Sequence, residues 1–215
     1  MRKIIASAII FGLLNSGCTD TKSHSKGIYM LLDAPGTHAL ALKKAQSIIN
    51  YLLGILHPGD TLAIARIDTA SFSEKDIIAK VTFNERPSVA NAQKRAFMRK
   101  VETFVNSVKG SPYTDISGGV FQAIKYLNEA NSGKKYILII SDLKQKLLKG
   151  HDGEVSLQLD NFSVIALNVN KLRQNIRDPK IYMARAEDWR FKVENSGGKW
   201  RVLNDLEKLD NILTK

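Results

Sequence analysis

One cysteine, Cys18, stands in 215 residues, so no disulfide can close within the chain. The fold must therefore be held by packing alone. A lone cysteine also leaves no sulfur cluster for a zinc site. The four histidines, His24, His38, His57 and His151, fall in a tether, a helix start, a turn and a loop, without the close spacing of a metal pair. Phosphate-binding glycine loops are missing too. Gly118-Gly119 and Gly197-Gly198 sit in neither a G-x-x-x-x-G-K-S/T nor a G-x-G-x-x-G pattern. No G-x-S-x-G elbow appears, which removes the commonest serine-hydrolase signature. The most continuous apolar run, residues 4–14, is too short to span a bilayer as a helix, which takes about 20 residues. Acidic residues are the other shortage, 21 against 32 Lys and Arg.

What remains is the composition of an ordinary folded domain, 44% hydrophobic and 25% charged, and the length suits one buried core. The formal charge is +11, or +9 once Arg2 and Lys3 of the leader are set aside. Such a surplus suits acidic partners such as anionic lipid, nucleic acid or an acidic protein. The basic residues are scattered, however, and scattered charge serves solubility equally well. No nucleic-acid partner is expected.

Residues 1–17 read as an export signal, with a basic start at Arg2 and Lys3, the apolar run and then Asn15, Ser16 and Gly17. Leu14-Asn15-Ser16-Gly17-Cys18 resembles the bacterial lipobox, in which the cysteine is diacylated and becomes the new N-terminus. Asn15 departs from that pattern, where an aliphatic residue is usual. The resemblance implies a lipidated Cys18 at the periplasmic face of the envelope. With Thr19 rather than Asp next, it implies the outer membrane in a two-membrane cell. Residues 18–26 form a polar tether, and 27–215 the domain proper.

Within the domain, short apolar runs alternate with amphipathic ones. Strands are expected over 27–32, 61–67, 77–83, 136–140, 162–169 and 199–203, and helices over 38–56, 90–108, 116–128, 178–195 and 205–213. Ala92, Ala96, Val101, Phe104 and Val108 are expected to face the core from the second helix. The link between the second and third strands is too brief for a helical crossover, so that pair should be an antiparallel hairpin. Asp68 and Asp76 are expected as its turn residues, and Trp189 and Trp200 in the core. The remaining alternation predicts an α/β fold: a doubly wound, mostly parallel sheet with one antiparallel edge strand and helices on both faces.

Ligands in such folds bind beyond the carboxyl ends of the strands, near the point where strand order reverses. Asp33 and Thr37 follow the first strand, Thr114 lies in a loop before a helix, and Asp142 follows the strand Y-I-L-I-I. Carboxylates and hydroxyls without His or Cys are hard oxygen ligands, suited to a hard divalent ion. On the bland alternative, Asp33 holds its loop through backbone N–H groups and Thr37 caps its helix. The run of lysines over 144–149 is the densest local basic patch, either a solvated face or a receiver for an acidic partner.

Three segments together carry a sharper likeness: Asp33-Ala34-Pro35-Gly36-Thr37, Ser111-Pro112-Tyr113-Thr114-Asp115 and Ile140-Ser141-Asp142. They resemble the metal-ion-dependent adhesion site of von Willebrand factor type A domains, whose pattern is D-x-S-x-S, a G-x-T-D loop and a strand ending in Asp. That resemblance implies Mg²⁺ or Mn²⁺ held directly by Thr37 and Thr114 and largely through water by Asp33 and Asp142. A protein partner's acidic group would complete the shell, in a binding module that is not an enzyme. Pro35 stands where the family has its first ligand serine, so one hydroxyl is lost. Two other functions stay open: binding of anionic polymer or lipid headgroups through the basic surface, and metal-assisted hydrolysis, for which no general base is evident.

Overall fold

The chain from Lys26 to Leu32 forms β1, where Ile28, Tyr29, Met30 and Leu31 are all fully buried. A strand apolar on both faces needs cover on both, which is the condition for a central parallel strand. In the computed structural model, which describes residues 24–33, 39–67, 72–110, 112–147, 156–167, 179–203 and 206–214, β1 has that cover. Cys18 and the leader, Pro35, Thr37, His38, Asp68 and His151 lie outside the described residues.

After β1 come α1 (Ala39–Ile55), β2 (Thr61–Arg66), a short 3₁₀ turn (Glu74–Asp76), β3 (Ile77–Thr82), α2 (Pro87–Ser107) and α3 (Ile116–Glu129). They are followed by β4 (Lys134–Ile140), β5 (Phe162–Leu167), α4 (Pro179–Asn195), β6 (Lys199–Leu203) and α5 (Leu206–Leu213). The six strands make one sheet in the order β3-β2-β1-β4-β5-β6. Every pairing is parallel except β2 with β3, so the expected antiparallel edge strand is present. Asp76 closes the hairpin link as expected, its carboxylate accepting from the Ser73 backbone N–H at 2.8 Å.

Alternation along β1 sends its side chains into two cores. Ile28, Met30 and Leu32 pack with α1, α2 and α5. Tyr29 and Leu31 pack with α3 and α4, where Trp189 is buried and Trp200 half-buried. β1 begins one residue earlier than expected, at Lys26, which pairs with Lys134 of β4.

The buried stripe of α2 differs from the expected one. Ala90, Phe97 and Val101 are its buried residues, while Ala92 is exposed and Ala96, Phe104 and Val108 are half-buried. Positions 90, 94, 97, 101 and 105 form one helical stripe, and the polar residue inside it is Lys94. Its apolar stem runs along the core, while its ammonium donates to the Leu56 carbonyl at 2.6 Å and lies over the Phe83 ring. A lysine at a core-facing position shifted the apparent apolar face.

Candidate functional site

Strand order reverses at β1: the chain goes one way to β2 and later returns on the other side as β4. Sheets of this order place their ligand crevice between the C-terminal ends of the two strands at the reversal, here β1 and β4. Leu32 pairs with Ile140, so the next residues on each strand, Asp33 and Ser141, come out side by side. The Asp33 N–H donates to the Ile140 carbonyl at 2.9 Å, and Ser141 Oγ–H donates to Asp33 Oδ2 at 2.8 Å. Both residues are buried. Ser141 Oγ also accepts from the Leu143 N–H at 3.0 Å, which bends the loop after β4. Leu143 takes up a left-handed conformation there, φ 62°, with its side chain buried.

Asp142 faces a different set of groups. Its Oδ1 accepts from the Lys144 N–H at 2.9 Å, an Asx-type turn. Its Oδ2 accepts from Arg185 Nη1 of α4 at 3.0 Å, and the same Nη1 donates to the Asp142 carbonyl at 3.1 Å. This pair is half-open to solvent, 28% exposed on Arg185 and 41% on Asp142. One turn earlier on α4, Tyr182 buries a hydroxyl that has no hydrogen-bond partner among the described residues. Burial, with the Asp142 charge second, pushes its pKa up to about 12.

The loop before α3 closes the third side. Thr114 is buried and exchanges two main-chain hydrogen bonds with Lys146, each 2.9 Å, so it joins the loop that carries Asp142. Gln145 of that loop accepts from the Ser117 N–H at 3.0 Å and the Ser117 hydroxyl at 2.8 Å. Asp115, beside Thr114, caps α3 by accepting from the Gly118 N–H at 2.8 Å. Its second oxygen accepts from the Phe72 N–H, also at 2.8 Å. Gly118 and Gly119 are explained by this crowding. A Cβ at 118 would come within 2.3 Å of Asp115 Oδ2, and one at 119 within 2.7 Å of Ile67 on the sheet.

Of the four expected metal-site residues, Asp33, Thr114 and Asp142 are described, and each is tied to residues 140–146. The structure adds Ser141, Asp115, Gln145, Tyr182 and Arg185 to the neighbourhood. Arg185 had no local signal, being 43 residues from Asp142. Lys144 and Lys146 are exposed on the same loop, Lys146 over the Tyr113 ring.

Among the described residues, the pairing of Asp142 works against Mg²⁺ or Mn²⁺. Asp142 is already neutralised by a guanidinium, and a dication drawn to it would meet that like charge. Among the described residues, no group of three or more His, Cys, Asp or Glu side chains is gathered to hold a metal ion.

No family model matches the chain, and no curated protein matches it in sequence. Among solved structures it is similar to an aerotolerance-related membrane protein from Bacteroides fragilis NCTC 9343. That match has 12% identity and a TM-score of 0.48, covering 88% of this chain and 96% of the other. It is also similar to the conserved hypothetical protein BatB from Bacteroides thetaiotaomicron, with 14% identity and a TM-score of 0.45, over 88% of this chain and 95% of the other. The fold class rests on the strand order and pairing themselves. Among the described residues, no helix is long and apolar enough to cross a membrane.

Proposed function

We propose that this chain is an exported, lipid-anchored binding module of the type A kind, which docks an acidic group of a protein partner in the crevice between β1 and β4. One observation carries the reading: Asp33, Ser141 and Asp142 converge at the strand-order reversal, with Arg185 bonded to Asp142 at the half-open rim. The order of the strands and the antiparallel edge support the type A assignment. Export and anchoring draw their support from the basic start, the apolar run and Cys18 directly after Ser16 and Gly17. The reading favours binding over catalysis, because Asp33 and Asp142 are engaged by a hydroxyl and a guanidinium and, among the described residues, no base is poised beside a nucleophile.

A photo-crosslinking residue at Lys144, exposed beside Asp142, tests the reading in cells, with the same residue at exposed Thr103 of α2 as control. A discrete protein adduct from position 144 and none from 103 is expected. No adduct from 144 overturns the proposal. Palmitate incorporation that disappears in Cys18→Ser is the expected result for the anchor.

A second reading is binding of anionic polymer or lipid headgroups. Lys43, Arg95, Arg99 and Lys100 are exposed on α1 and α2, and Glu102 is the one acid in those two helices. Vesicle binding that falls steeply with salt would favour it over the first.

A further inference from the structure

Resting on that reading, we infer that Arg185 is the resident cation of the site: held on Asp142, its guanidinium receives the partner's acidic group directly, without a divalent ion. Two observations carry it. Asp142 takes Arg185 Nη1 on both its carbonyl and its Oδ2, so the guanidinium is fixed by two bonds to one residue. The side chain is 28% exposed, so the cation is anchored yet reachable.

A guanidinium suits this task. It carries five N–H donors in a plane, and those on Nη1 account for the bonds to Asp142. Its remaining donors have the geometry for a second carboxylate, and the charge survives at any physiological pH. Tyr182, one turn away on the same helix, adds a buried hydroxyl without a partner among the described residues. Asp142 then works as a positioning residue, holding Arg185 where the incoming acid arrives. Asp33 accepts a separate bond, from Ser141.

Every strand, helix and core residue described lies between Lys26 and Leu213, so a chain starting at Thr19 contains the whole folding unit. Its thermal melt is compared in EDTA and in millimolar MgCl₂, for the native sequence and for Arg185→Gln. The native sequence is expected to melt at one temperature in both. Arg185→Gln, with Asp142 freed, is expected to gain a magnesium-dependent rise of about 3 °C. A rise in the native protein, or none in the variant, overturns the inference. Arg185→Lys, which keeps the charge, is expected to stay insensitive to magnesium.

The Lys144 adduct gives a second readout. It should form in EDTA, disappear in Arg185→Gln and persist weakened in Arg185→Lys. An adduct that requires magnesium, or survives Arg185→Gln, overturns the inference while leaving the binding module intact. The lack of any adduct overturns the binding module, and the melts still decide what Arg185 does to magnesium.

Discussion

At the N-terminal end of the sheet, Asp60 is 4% exposed and accepts from the backbone N–H groups of Lys26 at 2.7 Å and His57 at 2.8 Å. At the C-terminal end, Asp33 meets a hydroxyl from the loop after β4, and Asp142 meets a guanidinium from α4. A cavity of about 430 Å³ lies at the first end, lined by His24, Lys26, His57, Asp60, Glu85 and Asn131 among others. Yet its one buried acid already has a backbone donor on each oxygen. Backbone donors cannot rotate away, so Asp60 is a clamp that joins the start of β1 to the turn before β2. Side-chain donors reach their acceptors through rotatable bonds. A pair made by one stays within reach of a ligand, provided it is also open to solvent. The Arg185 pair on Asp142 Oδ2 satisfies both conditions, while Oδ1 takes a backbone donor; Asp60 satisfies neither. The cavity at this end is thus the less promising place for binding.

The comparison breaks or sharpens through four changes. Asp60→Ala should cost the most, about 3 kcal/mol, because it leaves two part-buried N–H groups without a charged acceptor. For a domain of this size that is roughly 8 °C of melting temperature. A loss no greater than that of Asp142→Ala would break the contrast. Asp115→Ala comes next, at about 2 kcal/mol in urea unfolding, since it removes the α3 cap and the acceptor for Phe72. Asp115 is at the same end as Asp142, so this result would show that backbone pairing, rather than position along the sheet, makes a clamp. Arg185→Gln should cost less than about 1 kcal/mol, as half-exposed ion pairs are screened by solvent. A larger loss in a chemical denaturation curve would make Arg185 a structural latch.

The smallest effect is expected from Tyr182→Phe, which should leave stability at pH 7 within about 0.5 kcal/mol. Its signature is at alkaline pH. The folded-state pKa of Tyr182 is raised to about 12 from 10.0. Between those values the unfolded chain gives up the phenolic proton while the folded one keeps it. The stability linked to Tyr182 is therefore complete below pH 10 and is lost as pH rises towards 12. Tyr182→Phe should lessen the fall in stability over that window; an unchanged slope would place the hydroxyl in contact with solvent.

Much of this architecture was legible along the chain. β1 through β6 fall within a residue or two of the apolar runs where they are described, because strand burial repeats every second residue and shows locally. The hairpin of β2 and β3 was legible from loop length alone. Lys94 is the instructive failure: its type says surface, yet its position is on the buried stripe, and only the nearby Leu56 carbonyl explains it. Of the site, Asp33, Thr114 and Asp142 were legible as polar residues at strand and loop ends, whereas Arg185, Tyr182 and Gln145 were not.

The sequence by itself determined the alternation of strands and helices, the antiparallel edge, and which carboxylates emerge at the strand-order reversal. Those properties depend on groups a few residues apart, and periodicity records them. Only the tertiary structure decided that Asp142 faces Arg185, because packing α4 on the sheet brings together residues 43 apart. Nor could the order of residues tell that both Asp60 oxygens go to backbone donors while Asp33 takes a hydroxyl from the loop after β4. An aspartate reads the same in every sequence; the donors that reach it depend on how distant segments pack.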